Sequence, residues 1–509
     1  MYSKIKTCVL QGLNGHIIEV ESDLSRGLPV FNIVGLPDTA IKESKERVRT
    51  AIKNSGYNFP LSRITINLAP ANIKKDGSQM DLAIAIGILM ADSIIIDKEE
   101  SPVVFIGELS LDGKVNPIEG ALPMVISMRE LNIKKCIIPY DNKDECSVIT
   151  DMDIIPVKNL KEVIDYLNGE LILESYKREN YYFIENQNEF SIDFSDIRGQ
   201  DGLKRALEVA AAGNHNLLII GPPGSGKTMA ARRLPTILPK LSFEEAIEVT
   251  KIYSISGLLN SKALIEERPF RSPHHTASNV SLIGGGRVPK PGEVSLAHNG
   301  VLFLDELPEF QKNVLEVLRQ PIEDGVVHIS RVNANLSYPS KFMFVASMNP
   351  CPCGYYGDPL HDCTCNQGSI DRYLGKISYP LLDRIDIHIE VSPVEYKDLQ
   401  GDIETESSST IRERVKRARE IQLDRFKHDK IYNNSQISNK DIRKYCKLSQ
   451  SSETIMKNAF IKYKFSSRTY NKLLKISRTI ADLDSKESIE DKHILEAIRY
   501  RSLDSKYWG

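Results

Sequence analysis

The eight residues GPPGSGKT at 221–228 constrain this chain more than any other stretch. A short apolar run, Asn216–Ile220 (NLLII), comes before them, and MAARRL, a good helix former, follows. Strand, glycine-rich turn and helix in that order make the phosphate-binding unit G-x-x-x-x-G-K-[ST], which is built into a parallel α/β sheet. Gly221, Gly224 and Gly226 let backbone N–H groups turn inward around phosphates, and Pro222, Pro223 and Ser225 complete the loop. Lys227 supplies a point charge to the β and γ groups, and Thr228 a hydroxyl for Mg²⁺. The four fixed positions and both flanks agree, so ATP and Mg²⁺ are the expected ligands.

Two further strands are expected beside this one. Val301–Glu306 (VLFLDE) is a four-residue apolar strand that ends in two carboxylates, at the edge where parallel sheets bind ligands. Asp305 is expected to hold Mg²⁺, and Glu306 to orient and deprotonate an attacking water. The strand Phe342–Ala346 runs into SMNP, which sets Asn349 beside the γ-phosphate. From spacing alone, Asn349 reads more readily as an Asn that opens a turn before Pro350.

At 509 residues, the chain is long enough for about three domains. The polar stretch Glu174–Phe190 reads as a linker, and a second one, Leu399–Thr410, comes before helical spacing at Ile411, Val415, Ala418 and Ile421. The expected domains are 1–172, of mixed α and β pattern, 192–396, a parallel α/β sheet, and 397–509, helical, with 173–191 as linker. Apolar residues (41%) and charged ones (26%) suit large cores and exclude disordered and collagen-like classes. The longest apolar run near the N-terminus, Leu82–Ala91, falls short of the roughly 18 residues of a membrane span. MYSKIKTCVL has no secretory h-region, so a cytoplasmic protein without a membrane segment is expected. The net charge of −2 hides an asymmetry: residues 401–509 carry +8 and the first 400 carry −10. A basic C-terminal segment hints at polyanion contact, though solvated helix faces account for it as well.

Four of the eight cysteines, Cys351, Cys353, Cys363 and Cys365, fall within fifteen residues as two C-x-C pairs. Four thiolates on two short turns suit tetrahedral Zn²⁺, and a closed Cys₄ site would be structural. The loop has too little apolar content to fold alone. A redox pair and ordinary buried thiols are the other readings, and His361 is a substitute ligand.

GPPGSGKT, VLFLDE, SMNPCPCG and LLDRIDIH (381–388), together with RPFRSPHHTASNVSLIGGG (268–286), resemble the magnesium-chelatase-like AAA+ ATPases, and among them the YifB/ComM family. The resemblance covers nearly the whole chain. It implies a ring, usually a homo-hexamer, with ATP sites between subunits. It makes Asn349 the first sensor and Arg384 the finger that reaches a neighbour's γ-phosphate. Arg468, within SSRTYNKLL of a helical lid, is the second-sensor candidate, with Arg478 on the same lid. Residues 75–87 (KDGSQMDLAIAIG) and 106–119 (IGELSLDGKVNPIE) resemble the proteolytic domain of Lon, of ribosomal-S5-like fold. Gln79 stands where the Lon-type serine would be, and Leu122 where the lysine would be. Ser78 is one residue off register, so this domain is expected to be a scaffold without peptidase activity.

Two segments are candidates for substrate contact. GGGRVPKPGE (284–293) reads as a glycine-rich loop with Arg287 and Lys290 at its tip. VVHISRVNANLSYP (326–339) reads as a hairpin carrying Arg331. The resemblance implies that both act on DNA, single-stranded or branched, as in ComM-like helicases that move strand junctions during recombination or natural transformation. The alternative is a chelatase-type or protein-remodelling ATPase acting on a protein partner, although no metal-adhesion-type domain is present in the sequence.

Overall fold

The run Leu82–Ala91, too short for a bilayer, lies within the core helix Asp81–Ala91, of which every residue but Met90 is buried. The computed structural model describes residues 1–96, 102–177, 190–259, 262–286, 289–331, 334–393, 405–429 and 431–508; the side chains of residues 331 and 334 also lie outside the description. Its two units are Met1–Glu185 with Phe243–Ile265, and Asn186–Ser242 with Glu266–Gly509. Among the described residues no helix is long and apolar enough to cross a membrane.

The first unit is a seven-stranded mixed sheet, in the order Val30–Val34, Arg63–Ala69, Asn14–Ser25, Tyr2–Gln11, Val103–Phe105, Lys135–Pro139, Asp153–Val157. Its longest ladder is antiparallel, Tyr2–Gln11 on Asn14–Ser25. At the Lon-like positions, the Gln79 amide donates to Asp76 O at 2.7 Å, and Leu122 is buried in the helix Ala121–Glu130. The Ser78 hydroxyl donates to the Glu108 carboxylate, not to an amine. The helix Phe243–Ile255 also belongs to this unit: Ser254 Oγ donates to the buried Glu145 at 2.7 Å, and Gly120 N to Ser254 O at 3.2 Å.

The second unit holds a five-stranded sheet, in the order Phe270–Arg271, Val301–Leu304, Met343–Met348, Leu217–Ile220, Ile387–Glu390, with every pair parallel. The three inner strands are wholly buried, which is why they read as unbroken apolar runs. One core joins this sheet to the C-terminal helices, from Phe194, Leu217 and Phe303 to Val415, Leu473 and Ile494. The charge asymmetry is spent inside this unit. Arg414 pairs with Glu208, Arg205 with Glu496 at 2.9 Å, and Lys472 with Asp386 at 3.0 Å. Arg414 and Lys472 of the C-terminal segment therefore neutralise acids that precede it in the chain, while Arg205 answers an acid of that segment.

Candidate nucleotide site

Gly221, Asp305 and Asn349 meet at the carboxyl ends of three neighbouring strands, because the register sets Ile220 beside Met348 and Leu304 beside Ala346. Gly224 and Gly226 take φ values of 76° and 83°, the left-handed backbone that a phosphate loop needs and that side chains disfavour. The Ser225 hydroxyl donates to Pro222 O at 2.8 Å and ties the loop across its mouth. Lys227, buried at the start of the helix Lys227–Ile237, donates to Gly221 O and Pro222 O at 2.8 Å and to Asn349 Oδ1 at 3.1 Å. Thr228 Oγ1 donates to Asp305 Oδ2 at 2.7 Å, and the Ser347 hydroxyl donates to Asp305 Oδ1. A threonine hydroxyl and a carboxylate in contact beside the loop fit the hard oxygen ligands that Mg²⁺ takes.

Glu306 holds φ 52° and ψ 51°, a left-handed conformation that costs a non-glycine residue about 1–2 kcal/mol. The turn aims a 58% exposed carboxylate away from the strand, with Oε2 3.9 Å from His275 Nδ1. His275 is held in turn by His274, 4.1 Å between centroids, and by the edge of Phe310 at 6.4 Å. His275 and Ser347 have no motif spacing to Glu306 and Asp305; the HH pair within RSPHHT is the available sequence signal for the first.

Burial pulls the Lys227 ammonium down to about 8, against the opposing pull of Asp305 and Glu306. Phosphates favour the charged amine, so free protein above that pH must first regain a proton to bind ATP. The apparent Kd for ATP should therefore be flat near pH 7 and weaken about tenfold by pH 9. Nucleotide titrations by fluorescence across that range check it, and an unchanged Kd at pH 9 would contradict it.

Arg384 and Arg468 lie elsewhere. Asn216 comes just before the strand Leu217–Ile220; its Nδ2 donates to Arg384 O at 3.0 Å, and its N–H to Asp386 at 3.0 Å. The phosphate loop leaves the other end of that strand, so Arg384 sits about a strand length, roughly 15 Å, from its own loop. Arg384 and Arg468 line one cleft of about 430 Å³, also lined by Asp383, Lys472 and Lys475. Arg468, 65% exposed, contacts Asp383 at 3.2 Å. Arg478 is buried on Asp482 and on the carbonyls of Lys486 and Glu487, which occupies it structurally.

The four clustered thiols come together with Sγ separations of 3.3, 3.7 and 3.6 Å for 351–353, 351–363 and 353–363, and all four ligand atoms lie within 4.8 Å of one another. Tetrahedral Zn–S bonds of about 2.3 Å put sulfurs about 3.8 Å apart, so the set fits the ion. His361 is turned to Tyr355, 4.8 Å between centroids, and to Asp358 at 3.7 Å. The loop also braces the phosphate loop: a side chain at Gly354 would meet Pro223 at 2.5 Å.

Of the substrate-facing candidates, Lys290 is exposed on a two-residue ladder with Gly285. Arg331 ends the first strand of the hairpin Val326–Arg331/Ala334–Pro339, its side chain outside the described ones, and Arg287 lies outside the described residues. Buried Tyr338 donates its hydroxyl to Pro289 O at 2.9 Å, so the two segments are joined.

A parallel sheet with this strand order, a phosphate loop, a paired Asp–Glu strand end and a remote arginine define a P-loop ATPase of the AAA+ class. Profiles of magnesium chelatase subunit ChlI match residues 193–399 and 20–142, and that of its C-terminal region matches 405–501. The chain is 42% identical over 504 residues to YifB of Escherichia coli K12, covering 99% of this chain and 97% of that one. It is also 42% identical over 499 residues to competence protein ComM of Haemophilus influenzae, covering 97% and 96%. Lon protease 2 of Bacillus subtilis is 37% identical over 126 residues, 24% of this chain and 22% of the protease. The chain belongs to the YifB/ComM family of magnesium-chelatase-like AAA+ ATPases.

Proposed function

We propose that this protein is an ATP-driven ring motor, a homo-hexamer that acts on single-stranded or branched DNA in the cytoplasm, as a ComM-like helicase or branch-migration factor in recombination or natural transformation. The observation that carries the ring is the position of Arg384 at the far end of the strand Leu217–Ile220 from its own phosphate loop. A guanidinium there can serve only a neighbour's γ-phosphate, and Arg468 in the same cleft would serve the same nucleotide. Within each subunit Lys227 and the loop amides hold the β- and γ-phosphates, Glu306 takes the proton of the attacking water, and Asn349 orients that water. Thr228 and Asp305 would hold Mg²⁺, which when bound neutralises charge on the phosphate oxygens. Zn²⁺ on Cys351, Cys353, Cys363 and Cys365 would be structural. Protein prepared without chelator should carry about one zinc per chain. Changing Cys351 and Cys363 to Ser should remove it and, through Pro223, weaken ATP binding; elemental analysis without zinc would leave a thiol cluster.

The DNA reading rests on the family relationship, one member of which is named a competence protein, and on the two joined segments that carry Arg287, Lys290 and Arg331. A few cations per chain, repeated around a ring, give many phosphate contacts despite a net charge of −2, so affinity should fall steeply with salt. ATPase assays with and without single-stranded and branched DNA test it. DNA should stimulate turnover, and Ala at all three cations should remove the stimulation while sparing the basal rate. Turnover indifferent to DNA would shift the reading to a protein partner.

A further inference from the structure

Arg384 is not free to reach a neighbour in the chain as it stands. Its Nη2 is paired with the Glu323 carboxylate, and its Nη1 donates to Pro380 O at 2.6 Å. Its buried Nε has no hydrogen-bond partner among the described residues. The Arg384 side chain is 15% exposed, whereas Glu323 is 54% exposed, so the carboxylate can turn into water when the pair opens and the guanidinium is left seeking another anion. Glu323 belongs to the short helix Arg319–Asp324. That helix ends on Gly325, at φ 66°, and the hairpin opens at the next residue, Val326. Ser340 N closes the hairpin base on Gly325 O at 2.8 Å. The counter-ion of Arg384 is thus fixed at the root of the hairpin that carries Arg331.

We propose that Glu323 is a positioning residue, a latch that holds Arg384 against its own subunit until movement of the Val326–Pro339 hairpin withdraws the carboxylate and frees the guanidinium for the neighbouring nucleotide. This rests on the DNA-motor reading and adds its coupling. One guanidinium faces two anions, Glu323 in its own subunit and the γ-phosphate next door, and cannot take the geometry of both. A polyanion drawn to the hairpin pulls on the chain three residues from Glu323. The same movement that signals bound DNA therefore shifts the competition towards the phosphate. The latch keeps hydrolysis low when the hairpin is empty.

The test is Glu323→Gln in the full-length chain, which keeps size and hydrogen bonding but removes the charge. DNA-free turnover should rise about fivefold or more, and stimulation by single-stranded DNA should shrink towards one. Loss of a merely structural contact would lower turnover instead. Glu323→Asp, which keeps a carboxylate, should retain most of the stimulation, and ring mass by light scattering should match wild type for both variants. In an Arg384→Ala background Glu323→Gln should have no effect. Basal turnover that stays level or falls in Glu323→Gln, with stimulation intact, overturns the latch. If Arg384→Ala alone hydrolyses ATP normally, the finger reading fails instead. If wild type is indifferent to DNA, the motor reading fails, and the DNA-free rise still decides whether Glu323 restrains Arg384.

Discussion

Glu306→Gln should cut ATP turnover by about 10²–10⁴-fold while leaving ATP affinity within about twofold of wild type. Glutamine keeps the length of the side chain and its fit to the left-handed turn, so the change removes a proton acceptor and little else. The neighbouring carboxylate, Asp305, is engaged by Thr228 and Ser347. Lys227→Ala should fail at the earlier step: the loop keeps its shape through Ser225 and Pro222, but the charge that meets the phosphates is gone, so affinity falls. Single-turnover assays beside equilibrium nucleotide binding separate the two outcomes. Near-native hydrolysis by Glu306→Gln would remove it from the role of base.

The loop, its strand and the Asp305–Glu306 pair were legible in sequence because each is local: spacing within eight or six residues carries the chemistry. Contacts made by tertiary approach were not. His275 reaches Glu306 from thirty-one residues away, and Glu323 reaches Arg384 from sixty-one; neither has a spacing to betray it. Gly354 follows the first cysteine pair in sequence, and its packing on Pro223 depends on the loop folding back. The helix Phe243–Ile255 has an apolar face that reads the same whichever unit it joins. The basic C-terminal segment shows why net charge misleads: Arg412, Arg419 and Lys475 each donate to backbone carbonyls, and Arg425 pairs with buried Asp482, so these cations are committed to the fold.

Arg384→Ala should bind ATP as wild type does and lose about 10³–10⁵-fold in turnover, the range over which an arginine finger acts. The loss should appear as an interface defect. Each active site then takes its phosphate loop from one subunit and its arginine from the next, an arrangement of the head-to-tail kind that closes rings. Mixing Arg384→Ala with Lys227→Ala subunits separates this from a defect within one chain. Wherever the sound loop of the first variant faces the sound finger of the second, one complete site forms. At equal amounts that should restore roughly a quarter of the interfaces, although neither parent is active. Arg384 Nε has no partner among the described residues and Glu323 is half in solvent, so removing the guanidinium leaves no buried carboxylate stranded, and folding should survive the change. Recovery at intermediate ratios, absent from either variant alone, is the signature of an arginine acting in trans. Mixed rings that stay inactive at every ratio would place the role of Arg384 inside its own subunit, where the strand Leu217–Ile220 keeps it a strand length from the phosphates.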